Sequence, residues 1–196
     1  MCEAFTASEE LALRFAERGY AALAFDYFGR TAGVSKRPDD WDYMAEVAKT
    51  TPENIQADVR ACVDELRGCG ARSIFTVGFC FGGRNSWLAA AAGHGLAGAV
   101  GFYGSLAERN GRPGPPAYAD RMECPILALQ AGDDANITHE QNEAFDRALT
   151  DAGVEHELVE YEGAPHSFFD RKQAEFAAAS DDAWRRTLAF IERHTR

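Results

Sequence analysis

Gly78-Phe79-Cys80-Phe81-Gly82 decides how this chain is read. The pattern Gly-x-nucleophile-x-Gly marks a nucleophile elbow, here with cysteine where serine is usual. Ser73-Ile74-Phe75-Thr76-Val77 before it reads as a buried strand, and Gly83 through Ala92 after it reads as an Ala-rich helix. A sharp turn between the two exposes the thiol at the carboxyl edge of a sheet. It also aims helix N–H groups at whatever the thiol attacks. The glycines are needed because a β-carbon at either flank would strike the neighbouring strand or helix. Chance alone would give this composition the pattern roughly 0.04 times, so the strand and helix around it carry much of the argument.

On either side of this stretch, strands and helices alternate along the chain. Ser8 can cap a helix that has Glu9 and Glu10 in its first turn and Gly19 as its stop signal. Ala21 to Phe25 reads as a buried strand. Thr51-Pro52-Glu53 opens a helix with Ile55, Val59, Cys62, Val63 and Leu66 on one face. Ala97 to Phe102, Ile126 to Gln130 and Glu155 to Tyr161 read as further strands. Thr138 to Ala152 and the segment up to His194 read as helices, the last with Trp184, Thr187, Leu188 and Ile191 inward. The expected fold class is therefore α/β, a mainly parallel sheet with helices on both faces. Two stretches interrupt the alternation, each after a strand. Residues 29–49 read as pocket rim, and the Pro/Gly run from Asn110 to Pro116 as a solvated connection.

The 196 residues suit one domain, 1–196, and 46% hydrophobic with 26% charged residues is ordinary for a globular chain. A net charge of −11 argues against nucleic acid or an anionic membrane as partner, because most of the surface would repel a polyanion. An anionic small molecule stays open if one pocket is locally basic. No apolar run reaches the length of a membrane span, and no signal-peptide pattern is read at the N-terminus. Five cysteines, at 2, 62, 69, 80 and 124, cannot all pair and lack metal-like spacing, which points to a reduced, cytoplasmic setting.

A cysteine nucleophile needs a base, and the base needs an orienting acceptor. In this architecture they follow in the order nucleophile, acid, base, each after a later strand. His166, in Ala164-Pro165-His166-Ser167-Phe168, suits the base. Asp133 or Asp134 suits the acid. His94 follows a helix end, His139 opens a helix, His156 starts a strand and His194 is near the terminus, so they fit less well.

The chain resembles the dienelactone hydrolase family of the α/β-hydrolase fold. Gly78 to Gly83, Gly19-Tyr20 before an apolar segment ending in Asp26, Gly101-Phe102-Tyr103-Gly104 and Pro165-His166-Ser167-Phe168 match its blocks in order. The resemblance selects Asp134, through a Gly-x-Asp pattern with Ile137 three residues on. It implies a Cys80–His166–Asp134 triad acting on an ester or lactone of a small molecule, with or without a carboxylate, and no cofactor. It further implies oxyanion donors at the N–H groups of Phe81 and Ala4, and Glu3 as the resting partner of the thiol. Arg30 would grip a substrate carboxylate by two parallel hydrogen bonds. Tyr103, with Phe28, Trp41 and Tyr43, would wall the pocket. Dienelactone-processing members carry a second arginine four residues after the histidine, where this chain has Asp170. The family's fold also supplies strands ahead of the Glu3-Ala4-Phe5 block, so an N-terminally truncated hydrolase is expected here. In the alternative, Ala21–Phe25 closes directly onto the elbow strand. A function of another class is a non-catalytic thiol sensor or binding protein on a degenerate hydrolase scaffold.

Overall fold

The computed structural model describes the chain apart from residues 1, 2, 34–36 and 38–40 and the side chains of 3–9. The chain forms two compact units, Met1–Ala71 and Arg72–Arg196.

The first unit contains the helices α1 (Glu3–Ala16), α2 (Gly29–Ala32), α3 (Tyr43–Val47) and α4 (Pro52–Gly68). In α4 the Thr51 hydroxyl accepts from the Asn54 N–H, and Pro52 takes a first-turn position where a missing N–H costs nothing. Ile55, Val59 and Val63 are buried, as their spacing predicts, with Cys62 and Leu66 half-buried beside them. Gly19, at φ +84°, ends the first helical segment as expected. The start of that segment differs from expectation. Helix α1 begins at Glu3, so Ser8 lies within it and cannot cap it.

Residues 21–25 also depart from the sequence reading. They form no strand, residues 21–24 are exposed, and Leu23 is 41% accessible. A strand exists only as a member of a ladder, and this apolar run has no ladder partner among the described residues.

The second unit runs β1 (Phe75–Phe79), α5 (Phe81–Ala90), β2 (Gly98–Phe102), a 3-10 helix (Pro115–Arg121), β3 (Ile126–Asp133), α6 (His139–Asp151), β4 (His156–Pro165) and α7 (Ala177–His194). Among the described residues the sheet has four strands in the order β1-β2-β3-β4, all parallel. Every residue of β2 is buried, the mark of a parallel strand covered on both faces.

Side-chain alternation assigns the two faces. The Ser86 hydroxyl of α5 donates to Thr76, and Trp87 lies where any side chain on Gly101 would fall. Trp87 also meets Phe145 of α6 with ring centroids 5.3 Å apart. Phe190 of α7 instead meets Phe75 and excludes a side chain at Gly98 on the opposite face. Helices therefore cover both faces, α5 and α6 on one and α7 on the other. Thr187 and Ile191 of α7 point inward as expected, whereas Trp184 and Leu188 are only half-buried.

Strands β3 and β4 run further than their apolar cores suggest. The ladder continues across a register shift between Ala131 and Asp133 and pairs Asp133 with Pro165. The Pro/Gly run is a second departure. Buried Arg84 donates to the carbonyls of Ser105, Ala107 and Pro113, and Gly114 and Pro115 are buried. Only residues 110–113 are exposed in the manner of a solvated connection. None of the described helices is long and apolar enough to cross a membrane.

The elbow glycines are needed for lack of space. A β-carbon on Gly78 would sit 2.1 Å from the Gly82 carbonyl oxygen, and one on Gly83 would sit 2.6 Å from the Phe102 oxygen. Both obstacles are backbone, which cannot swing aside. Gly78→Ala is therefore expected to destabilise the protein by about 3 kcal/mol or more, read as a lowered midpoint in urea unfolding. An unchanged midpoint would mean that the turn can open without cost.

Candidate active site

The four parallel strands all run toward one edge of the sheet, β3 and β4 extending past the ends of β1 and β2, and the residue after each strand is a chemically relevant side chain. Cys80 follows β1, Tyr103 follows β2, Asp134 follows β3 and His166 follows β4, each as the next residue along the chain. The last ladder pairs, Phe79 with Phe102 and Asp133 with Pro165, therefore set Cys80 beside Tyr103 and Asp134 beside His166. In open parallel sheets this carboxyl edge is where ligands bind.

Cys80 has φ 53° and ψ −113°, a backbone conformation that L residues rarely adopt. Its own N–H is spent on the Phe102 carbonyl at 3.0 Å. The thiol is exposed and stands at the N-terminus of α5, where the Phe81 N–H reaches it. Partial burial opposes ionisation of the thiol. The His166 hydrogen bond and charge, together with the Phe81 N–H, outweigh it, so Cys80 lies below its ordinary pKa despite an opposing push from Asp170.

His166 lies between two anions. Its hydrogen bond to Cys80 and its contact with Asp134 hold the imidazolium up to about 9, against a desolvation cost. The Nδ1 atom is 2.5 Å from Asp134 Oδ2. The Asp134 side chain is only 2% exposed, and its other oxygen accepts from the Asn136 N–H at 2.9 Å. Neighbouring Asp133 is exposed and ends the β3 ladder. The two ionisations shift in opposite directions, as expected for a thiolate–imidazolium pair.

Tyr103 is placed differently from a pocket wall. It is fully buried with φ 36°, and its ring centroid lies 5.0 Å from that of His166. It buttresses the imidazole from below. Phe168 packs on Tyr103 at 5.5 Å, and Phe169 stacks on Phe79 at 5.5 Å, so the histidine turn is bound to the elbow by aromatic contacts on either side.

The remaining expected residues belong to the first unit. Arg30 carries a bidentate ion pair with Asp58, at 2.6 and 2.9 Å to the same carboxylate oxygen, so the fork that would grip a substrate carboxylate is occupied. Glu3 and Ala4 open α1, in the turn whose N–H groups have no intrahelical acceptor; their side chains lie outside the described residues. Phe28 and Trp41 pack together, while Tyr43 is 51% exposed. Sequence reasoning missed Arg37. It bonds Asp26 at 2.5 Å and lies 4.5 Å above the Trp41 ring, a contact for which no local motif exists.

A cavity of about 450 Å3 is lined by Tyr161, Glu162, Glu175, Phe176 and Asp182, and Cys80, Asp134 and His166 do not line it. Among the described residues no cluster of three or more His, Cys, Asp or Glu is placed to hold a metal ion.

Known proteins resemble this chain along most of its length. The model of the dienelactone hydrolase family matches residues 4–195. A carboxymethylenebutenolidase of Rhodococcus opacus is 30% identical over 203 residues, spanning 94% of this chain and 74% of that protein. A carboxymethylenebutenolidase homologue of Escherichia coli K12 is 30% identical over 192 residues, spanning 94% of this chain and 71% of its own. A solved dienelactone hydrolase homologue from Klebsiella pneumoniae is similar with a TM-score of 0.84 at 28% identity, covering 95% of this chain and 81% of that one. With Cys80, Asp134 and His166 each following a strand of one parallel sheet and a family match over nearly its full length, the chain belongs to the dienelactone hydrolase family of carboxylic ester hydrolases.

Proposed function

We propose that this protein hydrolyses an ester or lactone of a small molecule through a Cys80–His166–Asp134 triad and a thioester intermediate. The observation that carries the reading is one imidazole held between two partners, Asp134 at Nδ1 and the Cys80 thiol. In the resting pair His166 holds the proton that Cys80 has lost. The thiolate attacks the substrate carbonyl, and the oxyanion forms where the Phe81 N–H points. One such donor is typically worth about 2.7–4 kcal/mol, and the Ala4 N–H is proposed as the second. The imidazolium then protonates the leaving alkoxide, which in a lactone stays attached to the acyl group. Water, activated by the now neutral His166, cleaves the thioester and regenerates the pair. Asp134 holds the imidazole in the required tautomer throughout.

A chromogenic aryl ester tests this scheme. Acylation and deacylation are separate steps, so a pre-steady-state burst of about one phenolate per Cys80 is expected. A linear onset with no burst, under conditions where deacylation is slow, would argue against a covalent intermediate.

Arg30 gives a further expectation. Because Asp58 already holds its guanidinium, Arg30→Ala should change turnover of carboxylated and uncarboxylated esters by the same small factor. A loss confined to carboxylated substrates would restore the anion grip that its sequence position implies.

A second reading draws on the exposure and lowered pKa of Cys80, which also suit a peroxide-sensing thiol. Reversible sulfenic acid formation at Cys80 with no ester turnover would favour it.

A further inference from the structure

We propose that Asp170 sets the charge preference of this site, favouring neutral and cationic acyl substrates over carboxylated ones. The inference names a substrate class and rests on the hydrolase reading above.

Asp170 is fixed beside the nucleophile by its neighbours. Phe169, the residue before it, stacks on Phe79, the residue before Cys80, at 5.5 Å and an interplanar angle of 15°. Phe169 also lies 4.7 Å from the Phe102 ring and is 3% exposed, so it cannot swing away. The turn is closed further by bonds from the Arg171 and Lys172 N–H groups to the Ser167 carbonyl.

The carboxylate itself is exposed and uncompensated. It accepts from the Arg171 N–H at 2.8 Å, and no ion pair with it forms among the described residues. Arg171 and Lys172 follow it, but both are exposed and neither is paired with it. Below it the Tyr103 hydroxyl is sealed from water and lacks a hydrogen-bond partner of ordinary geometry. Burial first, and the Asp170 charge second, push that phenol far above its usual range.

The charges at the strand ends follow from these facts. Against the Cys80 thiolate and the carboxylates of Asp134 and Asp170, the His166 imidazolium is the cation bonded among these groups in the described residues. A substrate carboxylate entering here meets a net negative field, whereas an ammonium group is attracted. Because Asp170 is exposed, solvent screens the effect to a several-fold preference that salt should erode.

Two readouts test it on the intact protein. The first is alkylation of Cys80 by iodoacetate and by iodoacetamide, each rate normalised to free cysteine. The second is kcat/KM for p-nitrophenyl hemiglutarate against p-nitrophenyl butyrate. In Asp170→Asn the anionic-to-neutral ratio should rise about three- to tenfold in both assays, and further in Asp170→Arg. In the wild type, 1 M NaCl should raise the iodoacetate ratio without any substitution. Ratios that stay constant across the variants and across salt would overturn the proposal while leaving hydrolysis untouched. A shifted alkylation ratio in a protein that turns over neither ester would keep the charge preference and sink the hydrolase reading instead.

Discussion

Cys80→Ala is expected to lower kcat/KM for a neutral aryl ester by about a thousandfold or more while leaving the fold intact. The large loss follows from chemistry. No other described cysteine shares its surroundings: burial pushes the Cys62 thiol up and the Cys124 thiol up to about 12, and Cys69 caps the C-terminus of α4 beside the Glu65 carboxylate. Structural cost should be small because the Cys80 side chain is exposed and caps nothing. An alanine there would face the same positive φ as the cysteine it replaces, so backbone strain is unchanged. Circular dichroism and a urea melt of the variant separate lost chemistry from lost folding. Substantial activity in a folded Cys80→Ala protein would move the nucleophile elsewhere.

The second large effect concerns His166. His166→Asn should lower kcat/KM by roughly 10²–10⁴-fold, the usual worth of a positioned acid–base group. It should also move the Cys80 titration upward, because the principal stabiliser of the thiolate is the imidazole. In the wild type the sign runs in two directions. Cys80 ionises below its ordinary value, so alkylation by iodoacetamide should remain fast at neutral pH and fall only as pH drops through the lowered thiol value. His166 keeps its proton up to about 9, so turnover should decline as pH rises past that point and the leaving group loses its acid. A bell-shaped kcat/KM profile follows. Alkylation that instead climbs steadily through the ordinary thiol range, identically in wild type and His166→Asn, would show that the two groups do not interact.

The sheet and the elbow were legible because their signals are local. Gly78, Cys80 and Gly82 lie within five residues, and the obstacle to a β-carbon on Gly78 is the Gly82 carbonyl of the same turn. The apolar runs that became β1 to β4 each have a ladder partner to stabilise them. Residues 21–25 have the same apolar character and no ladder partner among the described residues, and nothing within those five residues distinguishes the two cases.

The site was legible to a similar depth. Asp134 and His166 were readable as residues following strands, but how far β3 and β4 extend was not. The register shift that pairs Asp133 with Pro165 depends on two segments 32 residues apart. Arg30 is engaged by Asp58, 28 positions away, and no local pattern announces such a pair. Tyr103 carries the residue type of a pocket wall, yet the turns bearing His166 and Cys80 close over it. Helix α1 begins before Ser8, so a residue type favoured at helix starts stands inside this helix against its weak local preference.

If the Cys80 sulfur forms a covalent bond with the substrate acyl group, acid quenching of the protein during turnover of a slowly deacylated ester will trap it for peptide mass spectrometry. An acyl mass increment is expected on the peptide containing Cys80, removable by hydroxylamine and absent from Cys80→Ala. An increment on a different residue, or steady turnover with Cys80 recovered unmodified and freely alkylatable, would contradict it.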